Sequence, residues 1–300
     1  NNISAFDYGI YIHTDIYGDL KINENNIQAG ITGIRYSSPP PSYFLYGNVE
    51  IKDNTIDTSA NSGDAIVMED MEIRGTAEIT GNNITAGSTN HCIWLLLAYS
   101  DTMINNNIMA GGYGIYVWEV LGDLWINNNN ITSQYHVIWV DYAYGDATTN
   151  NNTIEHMGVG YYGIYYFDVY GALEIKQNIM NLDGGDVGIY INNYVYGKAT
   201  ILRNVIDPVT DFYTGIYIDI DVFIGPHSLI AHNTIYRVNN YGIYIGANTP
   251  ETVAVKNNII VGTNNATTIG IYGGVSGNCT KGVGYNDLWN CNLTLSTYDP

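Results

Sequence analysis

Three aspartates, Asp141, Asp168 and Asp219, each stand just behind a short run of apolar and aromatic residues and are the side chains best suited to proton transfer. Paired carboxylates hydrolyse glycosidic bonds, with retention at separations near about 5 Å and inversion at about 6.5–9.5 Å. In the repeat described next, Asp141 and Asp168 fall on adjacent coils, and Asp168 and Asp219 fall two coils apart. With Glu119 and Asp221 the three also form an acidic margin whose oxygens suit Ca²⁺, a hard cation. The plainer reading of that margin is a solvated edge that keeps the chain soluble and blunts strand pairing. Partners for proton abstraction are sparse: Arg35 lies far from these acids in sequence, and Lys198 and Arg203 belong to a different strand of the repeat. His91 and His136 each sit two residues before the first Ile of a strand and read as packed or turn residues.

The elements that position these groups follow from self-similarity. Asn followed by Ile one or two residues later recurs at Asn2, Asn26, Asn54, Asn83, Asn107, Asn130, Asn152, Asn178, Asn204, Asn233 and Asn258, a period of about 26 residues. Each period also carries Gly-Ile-Tyr-Ile or a variant, as at Gly9–Ile12, Gly114–Val117, Gly215–Ile218 and Gly242–Ile245. A third signature, an alternating strand such as Leu20-Lys21-Ile22 or Leu173-Glu174-Ile175, is often introduced by Tyr-Gly. Period-two alternation marks strands. The expected fold is therefore all-β: a right-handed, three-sided parallel β-helix solenoid of about 11 coils, over residues 1–277, with 278–300 as a C-terminal coil or cap of the same domain. Asn suits the tight turn because it tolerates the left-handed backbone region, and its amide can bond to the equivalent Asn of the next coil. A leucine-rich repeat has an overlapping period, but the rest of each period lacks helical spacing.

In the Gly-Ile-Tyr-Ile strand the two Ile share one face and the Tyr takes the other. With Ile inside, the outward column reads Tyr11, Arg35, Val67, Trp94, Tyr116, Trp139, Tyr165, Tyr190, Tyr217, Tyr244 and Tyr272. Such rings shield and stiffen the solenoid, and a flat stripe of them is also a platform for sugar rings. The expected carbohydrate-binding residues are Trp94, Tyr116, Trp139, Tyr165, Tyr190, Tyr217 and Tyr244.

The repeated Asn-x-Ile and Gly-Ile-Tyr-Ile units resemble the parallel β-helix repeats of the pectin-lyase-like superfamily, over nearly the whole chain. The stretch Asn257–Val261, with Tyr285–Asn290 and the closing Asp299-Pro300, is similar to the last coils of secreted or surface β-helix proteins of bacteria and archaea. The resemblance implies polysaccharide binding along the outer face of the Gly-Ile-Tyr-Ile strand. It also implies, for a lyase or epimerase, a metal or acids against a uronate and a nearby Arg, Lys or His as base. Neither an Asp-Pro-His-Asp motif nor the polygalacturonase set of Asn-x-Asp, Asp-Asp and Gly-His-Gly occurs.

Composition narrows the partners. Lys and Arg number 10 against 29 Asp and Glu, a net charge of −19, which opposes binding to phosphate backbones. With 46% hydrophobic and 13% charged residues the chain can bury a core. No apolar run approaches the roughly 20 residues of a membrane-spanning helix. Cys92 reads as a small buried hydrophobe, whereas Cys279 and Cys291 could close a short loop. Sequons occur at Asn2, Asn83, Asn130, Asn151, Asn265, Asn278 and Asn292; the first three are expected inward, in the turn ladder. The chain starts within a repeat, without a visible cap, so further repeats, a flanking domain or another copy is expected to cover that end. The functional expectation is an extracellular or cell-surface module, structural and/or binding polysaccharide or cell-surface glycan through its outward aromatic and acidic face, with no required cofactor beyond a possible Ca²⁺. The alternative is a polysaccharide lyase, glycoside hydrolase or epimerase using the same groove.

Overall fold

The computed structural model describes residues 1–37, 43–69, 71–158, 162–183, 187–207, 212–219, 223–246, 253–263, 268–273 and 283–295. Each repeat contributes three strands, seen at Ile179–Leu182 after the Asn turn, Val187–Val195 carrying Gly-Ile-Tyr-Ile, and Ala199–Leu202 with the alternating pattern. We call these the Asn strand, the Tyr strand and the alternating strand. All pairings run parallel to the equivalent strand one repeat away, so each unit is an all-β parallel solenoid. Alternating strands pair among themselves in one sheet, and Asn and Tyr strands belong to another. Among the described residues one 3₁₀ turn, Ser59–Asn61, is the exception to strand and loop.

The chain divides into two units, Asn1–Asp146 and Ala147–Pro300. In the first, the alternating-strand sheet has five rungs, and Ile22, Ile51, Ile79, Ile104 and Ile126 stack in register. In the second it has six rungs, with Thr149, Ile175, Ile201, Ile230 and Val255 in one row. About nine full turns of chain separate these rungs, slightly fewer than the 11 coils expected from Asn spacing. Ile files on the other two strands, such as Ile27, Ile56 and Ile84 or Ile189, Ile216 and Ile243, complete the interior. Each buried Ile contributes about 1.5–3 kcal/mol through removal from water.

The Asn turn forms as expected, with its register corrected. The buried, stacked residues are Asn25, Asn54, Asn82, Asn107 and Asn129 in the first unit, and Asn152, Asn178, Asn204, Asn233 and Asn258 in the second. Asn2, Asn26, Asn83 and Asn130 stand one position later, on the exposed side of the Asn strand. The inward residue is thus always two before the buried Ile or Met, because strand alternation sends the intervening side chain outward. The sequons at Asn2, Asn83 and Asn130 are therefore exposed, contrary to the expectation above; those at Asn265 and Asn278 lie outside the described residues, as do Cys279 and Asp299-Pro300.

The left-handed residue is also one place earlier than expected. Glu24, Asp53, Asn106, Asn128, Asn151, Gln177, Arg203, His232, Asn257 and Tyr285 have φ between 53° and 58°, and Gly81 has 69°; each directly precedes a ladder Asn. The left-handed region costs a non-glycine residue about 1–2 kcal/mol. What holds it is the Asn behind it. Asn82 Nδ2 donates to Asn107 Oδ1 at 3.0 Å and to the Ile51 carbonyl at 2.9 Å, while its backbone N–H donates to Asn107 Oδ1 at 2.9 Å. Its own Oδ1 accepts from the N–H and the Nδ2 of Asn54, both at 3.0 Å. A buried amide saturated in this way repays its desolvation.

Close approach explains the corner glycine. A Cβ on Gly47 would lie 2.4 Å from the Gly18 carbonyl one coil away, so the Tyr-Gly corner admits only hydrogen there. Cys92 occupies the position that Gly holds in Gly-Ile-Tyr-Ile; it is fully buried, and burial pushes its thiol up to about 12, leaving it a packing residue.

Candidate functional site

Strands Asp64–Met68, His91–Ala98, Tyr113–Val120 and Ile138–Ala143 of the first unit run side by side and carry the outward column in register, Val67, Trp94, Tyr116 and Trp139. A second outward file runs three residues upstream, where Asp64 bonds His91 and His91 aligns with Tyr113. Between the two files lies a cleft of about 390 Å³ lined by Thr89, His91, Tyr113, Ile115, Tyr116, His136 and Trp139. Pockets of this size, walled by rings with a few polar groups, are what small polar ligands occupy.

The rings are fixed by one another. His91 stacks on Tyr113 at 4.6 Å and 18°, His136 meets Trp139 edge-on at 4.3 Å and 89°, and Tyr116 meets Trp139 at 5.9 Å and 85°. Both faces of an edge-to-face pair cannot lie flat, so the first-unit column is a corrugated wall rather than the flat stripe expected from sequence. It is also less exposed than that reading implied: Val67 is 1% exposed, and Trp94, Tyr116 and Trp139 are half-buried. Trp94 does not line the cleft but packs beside it, 5.1 Å from the His91 ring.

Two carboxylates stand behind the cleft wall, bonded to its lining residues. Asp141 is only 8% exposed; its Oδ1 accepts from Trp139 Nε1 at 2.6 Å and its Oδ2 from the Tyr116 hydroxyl at 2.9 Å. Burial raises its pKa above the ordinary carboxylate value, outweighing those two hydrogen bonds. Asp64 shows the opposite balance. Burial pushes it up, but the His91 ring nitrogen at 3.1 Å, the His91 N–H at 2.7 Å and the charge on His91 together bring it below its usual value. The Asp64–His91 pair was not anticipated from sequence. Its only trace there is that both residues stand two before the first Ile of a Tyr strand, on neighbouring coils.

In the second unit Tyr165, Tyr190, Tyr217, Tyr244 and Tyr272 occupy one row. Tyr165 is 6% exposed and packs edge-on to Tyr190, whereas Tyr217, Tyr244 and Tyr272 stack nearly parallel at 4.5 Å and 4.9 Å. Stacked along the coils, these rings spend their faces on each other, which is the stiffening ladder. The Tyr190 hydroxyl donates to Asp219 Oδ2 at 2.6 Å.

The carboxylates singled out in the sequence are not gathered into one site. Asp219 follows Ile218 in the row of Tyr166 and Ile191, whereas Asp168 is opposite Tyr194, beyond a register shift in the strand pair. Asp168 is 5% exposed and accepts the Tyr194 N–H at 3.0 Å, so neither it nor Asp141 is part of a solvated edge. Glu119 aligns with Leu97 and Tyr142, and Asp221 lies outside the described residues. Among the described residues no three His, Cys, Asp or Glu converge as a metal site.

The tyrosine files carry a pH signature. Burial, with nearby carboxylates or phenols second, raises the pKa of Tyr116, Tyr190, Tyr217 and Tyr244 in the folded chain. A phenol titrates near about 10 when unfolded. These groups therefore contribute stability that is full below about pH 10 and is lost as pH rises toward their folded values. A joint titration by phenolate absorbance and far-ultraviolet circular dichroism is expected to show a late phenolate step that coincides with loss of sheet signal. Complete ionisation with an intact sheet spectrum would contradict it.

Residues 100–282 match the family model described as a right handed beta helix region. No curated protein and no solved structure matches the chain.

Proposed function

The chain belongs to the right-handed β-helix family, and on that scaffold we propose an extracellular or cell-surface module that binds polysaccharide at the first-unit cleft. The observation that carries this reading is the ring-walled cleft at Tyr116 and Trp139: the two rings form its wall, and the buried Asp141, bonded to both, fixes their orientation. Rings supply apolar contact to the CH faces of a sugar, and the polar groups of Thr89, His91, Tyr113 and His136 in the lining supply orientation. Tyr165, Tyr190, Tyr217 and Tyr244 of the second unit stiffen the scaffold in this reading, and a glycan longer than the cleft would run along the outward face.

Trp139→Ala is expected to weaken glycan binding by at least about 30-fold, the loss of one central aromatic anchor, with Tyr116→Phe weakening it less. Glycan affinity gels followed by calorimetry on the hits measure this. Unchanged affinity in Trp139→Ala, with the fold verified by a cooperative melt, removes the cleft from the reading.

The Asp64–His91 pair favours a second reading, cleavage of the bound polysaccharide with His91 as the proton acceptor and Asp64 orienting its ring. Release of reducing ends, or of unsaturated products absorbing in the ultraviolet, tested with and without Ca²⁺, separates it from binding alone; turnover that survives His91→Gln defeats it.

A further inference from the structure

Resting on the carbohydrate-binding reading, we infer that the cleft selects uncharged glycans and rejects polyuronates. Four observations on different scales agree.

The lining contains neither Lys nor Arg. Nor is one supplied from nearby chain: neither Lys nor Arg occurs between Arg74 and Lys176, a stretch that contains every residue of the cleft, whose only basic side chains are the imidazoles of His91 and His136. A carboxylate taken into a ring-walled cleft without a Lys or Arg, at a pH above the ordinary imidazole range, loses hydration and receives nothing equivalent in return.

Carboxylates flank the cleft wall. Asp141 holds the Trp139 Nε1–H and the Tyr116 hydroxyl, so the two strongest donors of the wall are already engaged. Asp64 likewise holds the His91 N–H and bonds a His91 ring nitrogen. Two carboxylates thus stand directly behind lining residues, and their charge opposes entry of a further carboxylate.

A bridging cation would reverse that repulsion, but among the described residues no three oxygen, nitrogen or sulfur ligands of the acidic, His or Cys kind converge to hold one. Finally, the whole chain carries −19, so an approaching polyanion meets an adverse field before it reaches the cleft.

The discriminating experiment uses matched polymers. Polygalacturonate and alginate are compared with their own carboxyl-reduced, neutral forms, alongside glucan, xylan and mannan, by affinity gel and calorimetry at pH 8, above the ordinary imidazole range. Wild type, Trp139→Ala and Trp139→Phe are each checked by thermal melt. The expected result is Trp139-dependent binding to at least one neutral polymer, with any polyuronate at least tenfold weaker than its reduced form. The gap is expected to narrow as salt screens the repulsion. Equal or tighter binding of a polyuronate, alone or only with added Ca²⁺, overturns the inference; if that binding is lost in Trp139→Ala, the carbohydrate reading itself stands. Binding to no polymer overturns both.

Discussion

Asn82→Ala is expected to destabilise the first unit by about 3 kcal/mol, whereas Asn83→Ala, one residue away, changes stability by less than about 0.5 kcal/mol. The substitution at 82 removes the acceptor used by two donors of Asn54, and it strips the Ile51 carbonyl of its amide partner. These groups are buried, and each unpaired one costs about 1–3 kcal/mol, part of which relaxation recovers. It also releases the left-handed turn at Gly81 from the ladder that holds it. Asn83 points to solvent and its loss unpairs nothing in the interior. Denaturant midpoints of the two variants measure the contrast, and equal effects would refute the register of the ladder.

Tyr166→Ala is expected to cost about 4 kcal/mol, in the range for deleting a buried ring. Tyr166 is fully buried in the row of Ile191, Ile218 and Ile245, and its hydroxyl shares a 2.6 Å hydrogen bond with Thr149 Oγ1. Burial pushes that phenol well above its usual pKa despite the Thr149 bond. Thr149 in turn stands in a row otherwise filled by Ile175, Ile201 and Ile230. One coil therefore trades an Ile for Thr and gains the space and the partner that a Tyr inside requires. The trade predicts coupling: Tyr166→Phe and Thr149→Val each cost about 1–2 kcal/mol, and the double variant costs less than their sum by about 1 kcal/mol. Simple additivity in a double-mutant cycle would show that the hydroxyl pair contributes nothing.

Strand type and stacking were legible because each coil repeats the same local rule: alternation sends Ile inward and Tyr outward, and register then follows from aligning Ile with Ile. The turn was legible only to within one residue. Where two Asn precede Ile, as at Asn25-Asn26, Asn82-Asn83 and Asn129-Asn130, spacing alone does not separate the buried amide from its exposed neighbour. Coils with one candidate, such as Asp53-Asn54-Thr55-Ile56, resolve the phase, since buried Asn and buried Ile must be two apart. The cleft was less legible. Tyr116 and Trp139 follow from the outward column, but Asp64–His91 joins residues 27 apart through coil stacking. The burial of Asp141 depends on rings from its own coil and from the one before it. The pairing of Asp168 with Tyr194 was not legible for a related reason, because the extra residue in the Val187–Val195 strand shifts the pairing beyond Tyr166.

The residue before each ladder Asn is Glu, Asp, Asn, Gln, Arg, His, Tyr or Gly, and all adopt the same backbone. The turn is thus written by the amide behind it and is indifferent to the side chain that bears the twist. Every such turn is an in-phase junction: a gene excised from Asn178 through Arg203 would join Gln177 to Asn204 and restore the same local grammar, one coil shorter. Length in this architecture is a countable trait, open to change by recombination at eleven equivalent splice points rather than by point mutation.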